Sequence, residues 1–315
     1  MRPLPFPRPT VRLRSHAVRN MGGPGNRSGG DVDHEVAASI LEAHPDYRVL
    51  RALPPWDSFV GEAPQGPVRT AAVIDVETIG LDLDHPIIDL AVQRIAFDER
   101  GVIVRIGRPR QWFEDPGCPV PETITRLTGI TDRDVAGSRI DEGEAVSMVR
   151  STTFAIAHNC SFDAPRIERR LPDIAGHAWA CSCNEVPWSE LGFDGRKLGH
   201  LLMQRGLFHK GHRAAADVWA TINLLGVPLA DGETPLLKLV RQAEKPTVRV
   251  EATAAPFETK DVLKARGYRW HQAGRVWRNE LPVEDEAAER QWLSERCGCH
   301  HPSVARLTWH SRHRT

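Results

Sequence analysis

The sequence lacks any long apolar run. None of its 315 residues lies in a stretch that approaches the roughly 18 apolar residues of a transmembrane helix, which argues against a helical membrane protein. The N-terminal residues include arginine and proline but no apolar segment, so no secretory signal is expected. Cysteine is also scarce. Six cysteines in a chain of this length, without an export signal, indicate reduced thiols and a cytoplasmic location.

Net charge is absent as well, because 41 Lys and Arg balance 41 Asp and Glu. The chain therefore has no global basic field that would attract nucleic acid. Its charge is uneven, however, since the first 30 residues contain six Arg and no acid. A hydrophobic content of 41% and a charged content of 26% are ordinary for a globular protein, so folded domains are expected.

Composition and periodicity divide the chain into six segments. The apolar spacing of Val36, Ile40 and Leu41 predicts a short helix packed on the main domain. Met21 is an alternative start of the chain. In order, the predicted segments are a disordered basic tail (1–32), a helical extension (33–66), the main α/β domain (67–227), a linker (228–246), a small α/β module (247–296) and a tail (297–315).

The main domain is organised around one buried strand, predicted over Thr70–Val76, and the acids at its end. Asp75 and Glu77 are two residues apart, so a strand directs both carboxylates to the same face. Two neighbouring buried carboxylates repel each other unless a cation compensates them, and Mg²⁺ prefers such oxygen ligands. The alternative is an exposed strand end with two solvated acids.

Two further clusters follow predicted elements. Asn159, Phe162 and Asp163 come after the apolar strand 153–157, and His212 and Asp217 come at the start of the helix predicted over 214–225. We expect His212 on the loop before that helix, because it and Asp217 do not share a helix face. Each residue also has an ordinary interpretation. Asp163 is a candidate helix N-cap, predicted to begin a helix over 163–170, Asn159 a turn residue and His212 a surface histidine.

Together these motifs resemble those of the DnaQ-like 3′–5′ exonucleases, in the variant called DEDDh. The resemblance covers 67–227 and rests on Asp-x-Glu, Asn-x-x-Phe-Asp and His-x-x-x-x-Asp in this order. The segment 121–131, ending in Thr-Gly-Ile-Thr, resembles the family segment that helps hold the terminal nucleotide. Ile79 departs from the pattern, since the family often has a second Thr there, which affects substrate preference rather than metal binding.

The resemblance implies a ribonuclease H-like mixed sheet flanked by helices, with the small C-terminal α/β module added to it. It implies a metal-dependent enzyme that releases nucleoside 5′-monophosphates from the 3′ end of single-stranded DNA or frayed ends. Two Mg²⁺ (or Mn²⁺) ions would be bound by four acids, and His212 would be the general base. The implied ligands are Asp75, Glu77, Asp163 and Asp217, and the implied substrate contacts are Thr78, Ile124, Leu127, Asn159 and Phe162.

The implied partner is nucleic acid with a free 3′ end, with DNA favoured over RNA, together with a DNA polymerase or repair complex and no membrane. Two alternatives stay open. One is an RNA-trimming exoribonuclease of the same fold, because sugar discrimination depends on a few contacts to the 2′ position. The other is a non-catalytic, polymerase-associated subunit, against which the complete set of catalytic residue types argues.

Outside the main domain, two cysteine pairs and the C-terminal module stand out. Cys181-x-Cys183 and Cys297-x-Cys299 have a one-residue spacing that is shorter than zinc sites use, so ordinary thiols are expected. The module combines basic residues with Trp270, Trp277 and Trp292. The three tryptophans are interpreted as much of a thin core, and Tyr268, Trp270 and Trp277 are alternatively part of a basic face that binds single strands.

Overall fold

A computed structural model describes residues 33–314. The predicted tail 1–32 and the alternative start at Met21 lie outside the described residues. None of the helices in this range combines the length and the hydropathy that a membrane span requires. The strands are β1 (Arg51–Ala52), β2 (Arg69–Thr78), β3 (Ile87–Phe97), β4 (Ile103–Ile106), β5 (Arg110–Phe113), β6 (Phe154–Ala157), β7 (Trp179–Cys181), β8 (Leu207–Phe208), β9 (Thr247–Ala252), β10 (Arg269–His271), β11 (Val276–Pro282) and β12 (Ser303–Leu307).

Among the described residues, the α-helices either precede the main sheet, as the first one does, or follow β5. They are α1 (His34–Glu42), α2 (Glu122–Thr128), α3 (Asp132–Val135), α4 (Glu142–Arg150), α5 (Cys160–Arg170), α6 (Leu198–Gln204), α7 (Ala214–Leu225), α8 (Pro235–Ala243), α9 (Lys260–Ala265) and α10 (Glu286–Cys297).

The main sheet has the strand order β4-β3-β2-β6-β7, and β5 also pairs with β3. Strand β2 runs antiparallel to β3 and parallel to β6, which in turn runs parallel to β7. Residues from α7 and α8 pack on one face of this sheet, and residues from α4 and α5 pack on the other. The predicted mixed sheet flanked by helices, with a small C-terminal module, is confirmed.

Strand β2 lies between β3 and β6, and its two faces are covered by α7 and α8 on one side and by α4 and α5 on the other. This explains why Ala71–Ile74 is a continuous apolar run and not an alternating pattern. The strand extends beyond the predicted end at Val76, because pairing with β3 continues as far as Thr78. Asp75 and Glu77 therefore lie within the last part of the paired strand.

Helix α5 begins three residues earlier than predicted. It starts at Cys160 and its N-cap is Asn159, whose backbone is left-handed with φ 97°. Asp163 lies inside the first turn and is buried. The interpretation of Asp163 as the N-cap is therefore wrong, and another reason is needed for burying an acid at this position.

The segment predicted as a linker contains helix α8. Thr234 caps it by accepting a hydrogen bond from the Leu237 backbone N–H, and Pro235 occupies its first turn, where a missing N–H is harmless. Leu236 and Leu239 are buried in the main core. The linker prediction is wrong for this part of the segment, because Thr234 and Pro235 begin a helix whose apolar side chains pack into the main core.

The N-terminal helix also differs from its prediction. Helix α1 forms, but Val36, Ile40 and Leu41 are exposed and no residue of the helix is buried. Polar contacts hold it instead, since Arg51 forms ion pairs with Glu35 and Glu42. The expected apolar packing of this helix on the main domain is therefore not found.

The C-terminal module is a four-stranded sheet in the order β10-β11-β9-β12, with α9 and α10 contributing to its core. Strand β12 lies in the segment predicted as a tail, so that prediction is wrong for Ser303–Leu307. Trp277 and Trp292 pack against the core, but Trp270 is 47% exposed. The interpretation of Trp270 as a core residue is therefore wrong.

The residues after β12 pack against the main domain. The Trp309 ring stacks on that of Phe154, with centroids 5.4 Å apart. Arg312 is almost fully buried and lies 2.5 Å from Glu185 and 2.7 Å from Glu280. Because Glu185 belongs to the main domain and Glu280 to the module, Arg312 connects the two.

Candidate active site at the end of the central sheet

Asp75 and Glu77 lie on one face of β2, near its C-terminal end. The register places Asp75 opposite Ala91 and Glu77 opposite Asp89 on β3. On this face the preceding residues, Ala71 and Val73, belong to the core that packs under α7. The two carboxylates therefore project from the sheet toward the helix that carries Asp217.

Helix α7 places Asp217 next to this pair. One carboxylate oxygen from each of Asp75, Glu77 and Asp217 lies within 4.8 Å of the others, and all three residues are partly buried. Hard divalent cations such as Mg²⁺ and Mn²⁺ prefer carboxylate oxygens. The donor set and its spacing fit such a cation. The structure therefore brings three of the four predicted acids into one group.

The protonation of these acids shows how unfavourable their proximity is without a cation. Burial, followed by the charges of Asp163 and Asp217, raises the pKa of Asp75 well above its usual range. Burial, followed by the charge of Asp217, raises the pKa of Glu77 to about 8. A bound cation would favour the ionised form of each carboxyl group. These acids would therefore bind the cation most tightly at the point where their carboxylates converge.

Asp163 lies beside the group but outside the three-oxygen set. It is buried in the first turn of α5, where the backbone N–H of Val76 donates a hydrogen bond to its carboxylate. Burial raises its pKa well above the usual range despite that hydrogen bond. Its charge also acts on Asp75. A fourth acid thus borders the site, from the helix that follows β6.

His212 lies on the loop before α7, the position expected from the sequence. Its backbone is left-handed, with φ 61°, and its side chain is exposed. Its backbone N–H donates a 2.9 Å hydrogen bond to Asp217 Oδ2. A left-handed conformation is uncommon for a residue with a side chain, so the surrounding contacts must maintain it. This turn fixes the direction in which the His212 side chain projects relative to Asp217.

A second histidine, His209, was not found from the sequence. Its Nε2 lies 2.6 Å from Asp217 Oδ1, and its side chain is almost fully buried. Adding a Cβ at Gly211 would place it 3.4 Å from His209 Nε2 and 3.7 Å from Asp217 Oδ1, so this glycine lies close against the pair. The available signal was a second histidine three residues before His212 in the same loop.

Asp89 is a further acid that sequence reasoning missed. It is fully buried on β3, and burial raises its pKa to about 6. Gln111 Nε2 donates hydrogen bonds to both of its oxygens at 2.8 and 2.9 Å, and the Ala214 N–H donates to Oδ2 at 3.3 Å. Asp89 therefore fixes the start of α7, which carries Asp217. The signal was a single acid in the apolar strand IIDLAVQRIAF.

Three of the predicted substrate-contact residues have clear local roles. Thr78 is buried, and its hydroxyl donates a 2.6 Å hydrogen bond to the Gly80 carbonyl. Asn159 Oδ1 accepts a 3.0 Å hydrogen bond from the Ser161 hydroxyl. The Arg166 guanidinium lies 3.7 Å from the ring centroid of Phe162.

The other two predicted contacts belong to helix α2. Ile124 is partly buried against a small cluster that includes Ile88 and Ile130. Leu127 is 51% exposed, on the same helix. Their role toward a substrate stays a prediction. The structure gives Ile124 a packing function and leaves Leu127 without one.

Comparison with known proteins agrees with the location of this site. Residues 72–225 match the RNase_T family model, described as Exonuclease. DNA polymerase III PolC-type from Streptococcus pyogenes serotype M5 (strain Manfredo) is 34% identical over 97 residues, which are 30% of this chain and 6% of that protein. This chain therefore spans only a small part of that relative. The matched family region contains all four acids and both histidines of the site.

Two solved structures match the chain at low sequence identity and with TM-scores below 0.5. Exonuclease X in complex with 5′ overhanging duplex DNA is 22% identical, with a TM-score of 0.37 over 53% of this chain and 99% of that one. E. coli exonuclease I in complex with a dA16 oligonucleotide is 17% identical, with a TM-score of 0.42 over 70% of this chain and 68% of that one.

Proposed function

Because residues 72–225 belong to the RNase_T family of exonucleases, we propose that the chain is a metal-dependent 3′–5′ exonuclease that acts on DNA. It would hydrolyse phosphodiester bonds from a free 3′ end and release nucleoside 5′-monophosphates. The observation that carries the proposal is the convergence of Asp75, Glu77 and Asp217 at one end of the central sheet.

In this proposal two divalent cations, Mg²⁺ or Mn²⁺, are held by Asp75, Glu77, Asp163 and Asp217. When bound, they would supply charge stabilisation for the phosphodiester and lower the pKa of water. Asp75, Glu77 and Asp217 form the geometrically supported part of the ligand set. Asp163 supports it from the first turn of α5, where its charge acts on Asp75.

His212 is the proposed general base. Its place on a loop, with an exposed side chain and its backbone hydrogen-bonded to Asp217, supports a group that approaches a water molecule beside the acids. His209 is less suited to this role because its Nε2 already contacts Asp217. We propose that His209 and Asp89 are positioning residues, acting through Asp217 and through the start of α7.

Thr78, Ile124, Leu127, Asn159 and Phe162 are proposed to contact the terminal nucleotide. The exposed Leu127 supports this most directly, since its side chain is available to pack against a base. DNA is favoured over RNA because the curated relative is a DNA polymerase III. The same likeness supports a polymerase or repair complex as partner.

The direction of degradation is tested with single-stranded DNA that carries a 5′ fluorophore. With Mg²⁺, a free 3′ hydroxyl should give a ladder that shortens from the 3′ end. An otherwise identical strand ending in an inverted nucleotide should persist, as should circular single-stranded DNA. Rapid cutting of the circle would contradict an exonuclease, and degradation of the 3′-blocked strand from its 5′ end would contradict the direction.

The exoribonuclease alternative is tested with a matched RNA of the same sequence and label. If RNA is shortened much faster than DNA under identical conditions, the substrate class changes while the site assignment stands. The non-catalytic alternative predicts binding of both strands without shortening of either.

A further inference from the structure

The C-terminal module carries exposed aromatic rings alongside cations. We call Phe257, Lys260, Lys264, Trp270 and Trp277 the aromatic strip. Phe257 is 74% exposed and Trp270 is 47% exposed. Single exposed apolar side chains are common, but several rings grouped in so small a unit indicate an interaction surface.

Helix α9 connects the two ends of this strip. Lys260 and Lys264 are four residues apart on it and therefore lie on the same helix face. Lys260 Nζ lies 4.2 Å from the ring centroid of Phe257. Lys264 Nζ lies 5.8 Å from the ring centroid of Trp277. The two lysines therefore connect Phe257 to the Trp270–Trp277 pair along one side of the module.

Trp270 is held in place although it is half exposed. It lies directly opposite Trp277 in the β10–β11 pair, with ring centroids 5.6 Å apart. Its indole N–H donates a 2.9 Å hydrogen bond to Gln272 Oε1. Strand β10 is at the edge of the sheet, so the ring of Trp270 projects past the core that Trp277 helps to cover. The result is an oriented ring available for stacking.

Charge within the module is segregated. Residues 260–278 contain six Lys and Arg and a single acid, whereas residues 280–295 contain six acids and a single Arg. Glu289 and Glu251 form ion pairs with Arg266 and Arg278. In the part of the chain that the structure describes, no carboxylate ion pair is found for three further cations of the basic segment, which are Lys260, Arg269 and Arg275.

We propose that the aromatic strip binds single-stranded nucleic acid, and this inference rests on the proposed function, which supplies such a substrate. Bases would stack on Trp270 and Phe257, and phosphates would contact Lys260 and Lys264. Stacking on aromatic rings combined with phosphate contacts is how proteins bind single strands without sequence preference. An acidic protein segment would match the cations, but planar bases joined by phosphates match both the rings and the cations.

The test uses the full chain in EDTA, so that binding is measured without cleavage. Fluorescence anisotropy with a labelled oligo-dT reports affinity over a range of salt concentrations. Trp270→Ala should weaken binding at least about five-fold, the effect of losing one stacked base. Trp270→Phe keeps a ring and should retain most of the affinity. Unchanged thermal unfolding would show that both variants fold.

The charge contribution is tested separately. The double variant Lys260→Gln/Lys264→Gln should weaken binding and reduce the slope of log K against log salt by about 1.4, or about 0.7 per phosphate contact on a single strand. The control Arg296→Gln/Arg306→Gln removes the same charge from exposed positions elsewhere in the module and should leave the slope unchanged.

Three outcomes would overturn the inference. The first is an affinity of Trp270→Ala within about two-fold of that of the unsubstituted chain. The second is an equal loss of affinity in Trp270→Ala and Trp270→Phe. The third is an equal salt slope in the two charge variants. Displacement of oligo-dT by poly-glutamate as effective as by unlabelled oligo-dT would assign the strip to an acidic protein instead. Failure of the unsubstituted chain to cleave DNA with Mg²⁺ would refute the proposed function but would not affect this binding readout.

Discussion

Replacing Glu77 with glutamine should make the stability of the metal-free chain less sensitive to rising pH. The pKa of Glu77 is raised from 4.5 to about 8 in the folded chain, first by burial and then by the charge of Asp217. Between these two values the folded state holds a proton that the unfolded state has lost. The free energy of unfolding therefore falls as pH rises through this window.

The size of the effect follows from the window. Each pH unit inside it lowers the free energy of unfolding by at most about 1.4 kcal/mol. Solvent that reaches the partly exposed Glu77 carboxyl weakens this electrostatic effect. We therefore expect Glu77 to lower the free energy of unfolding by about 2 kcal/mol between about pH 5 and pH 8. A glutamine side chain has no acidic proton to lose, and Glu77→Gln should therefore show a correspondingly smaller loss.

Urea unfolding in EDTA at several pH values measures this difference. The pKa of Asp75 is also raised, so Asp75 lowers the free energy of unfolding with rising pH in both proteins. Burial lowers the pKa values of His158 and His177, so these two histidines have the opposite effect in both proteins. The difference between the two pH profiles therefore reports the Glu77 carboxyl together with the repulsion that its charge exerts on Asp75 and Asp163. Glu190→Gln is the matched control at an exposed position. Parallel profiles for Glu77→Gln and the unsubstituted chain would refute the electrostatic account of the site.

Three more predictions test other parts of the structure. His212→Ala should lower kcat about 10²- to 10⁴-fold, as loss of a general base does, while Mn²⁺ affinity measured by calorimetry stays nearly the same; near-normal kcat would exclude His212 from this role. Leu239→Ala should destabilise the chain by about 2–5 kcal/mol in urea unfolding, because α8 is part of the main core, whereas the exposed Leu127→Ala should change stability by less than about 1 kcal/mol. Arg312→Met should destabilise by about 3 kcal/mol, because it removes the arginine partner of the buried Glu185, which is left with His313 and the Cys181 N–H, and the exposed Arg306→Met is its control.

The sequence was most informative where one element alone determines a feature. The alternation of Asp75 and Glu77 on a strand, and their place at the end of an apolar run, require no knowledge of the rest of the chain. The loop position of His212 followed in the same way from helix geometry. These are local consequences of backbone periods, whereas the convergence of Asp217 on Asp75 and Glu77 was expected only from the resemblance to the DnaQ-like exonucleases.

Features that depend on contacts between distant segments could not be predicted. His209 resembles any loop histidine until α7 brings Asp217 within 2.6 Å of it. Asp89 acquires its role only because Gln111 and the Ala214 N–H converge on it. Strand β12 looks like part of a tail until β9 pairs with it. The exposure of Trp270 could not be predicted because the sequence does not show that β10 is an edge strand.

The most direct test of the central claim is cleavage of a 5′-labelled single-stranded DNA by the unsubstituted chain and by Asp75→Asn, each in EDTA, in Mg²⁺ and in Mn²⁺. The account predicts shortening from the 3′ end only by the unsubstituted chain and only with a divalent cation. Asp75→Asn should remain folded but inactive, because it removes one of the three carboxylates that would bind the cation. Full activity in EDTA, or full activity of Asp75→Asn with Mg²⁺, would contradict it.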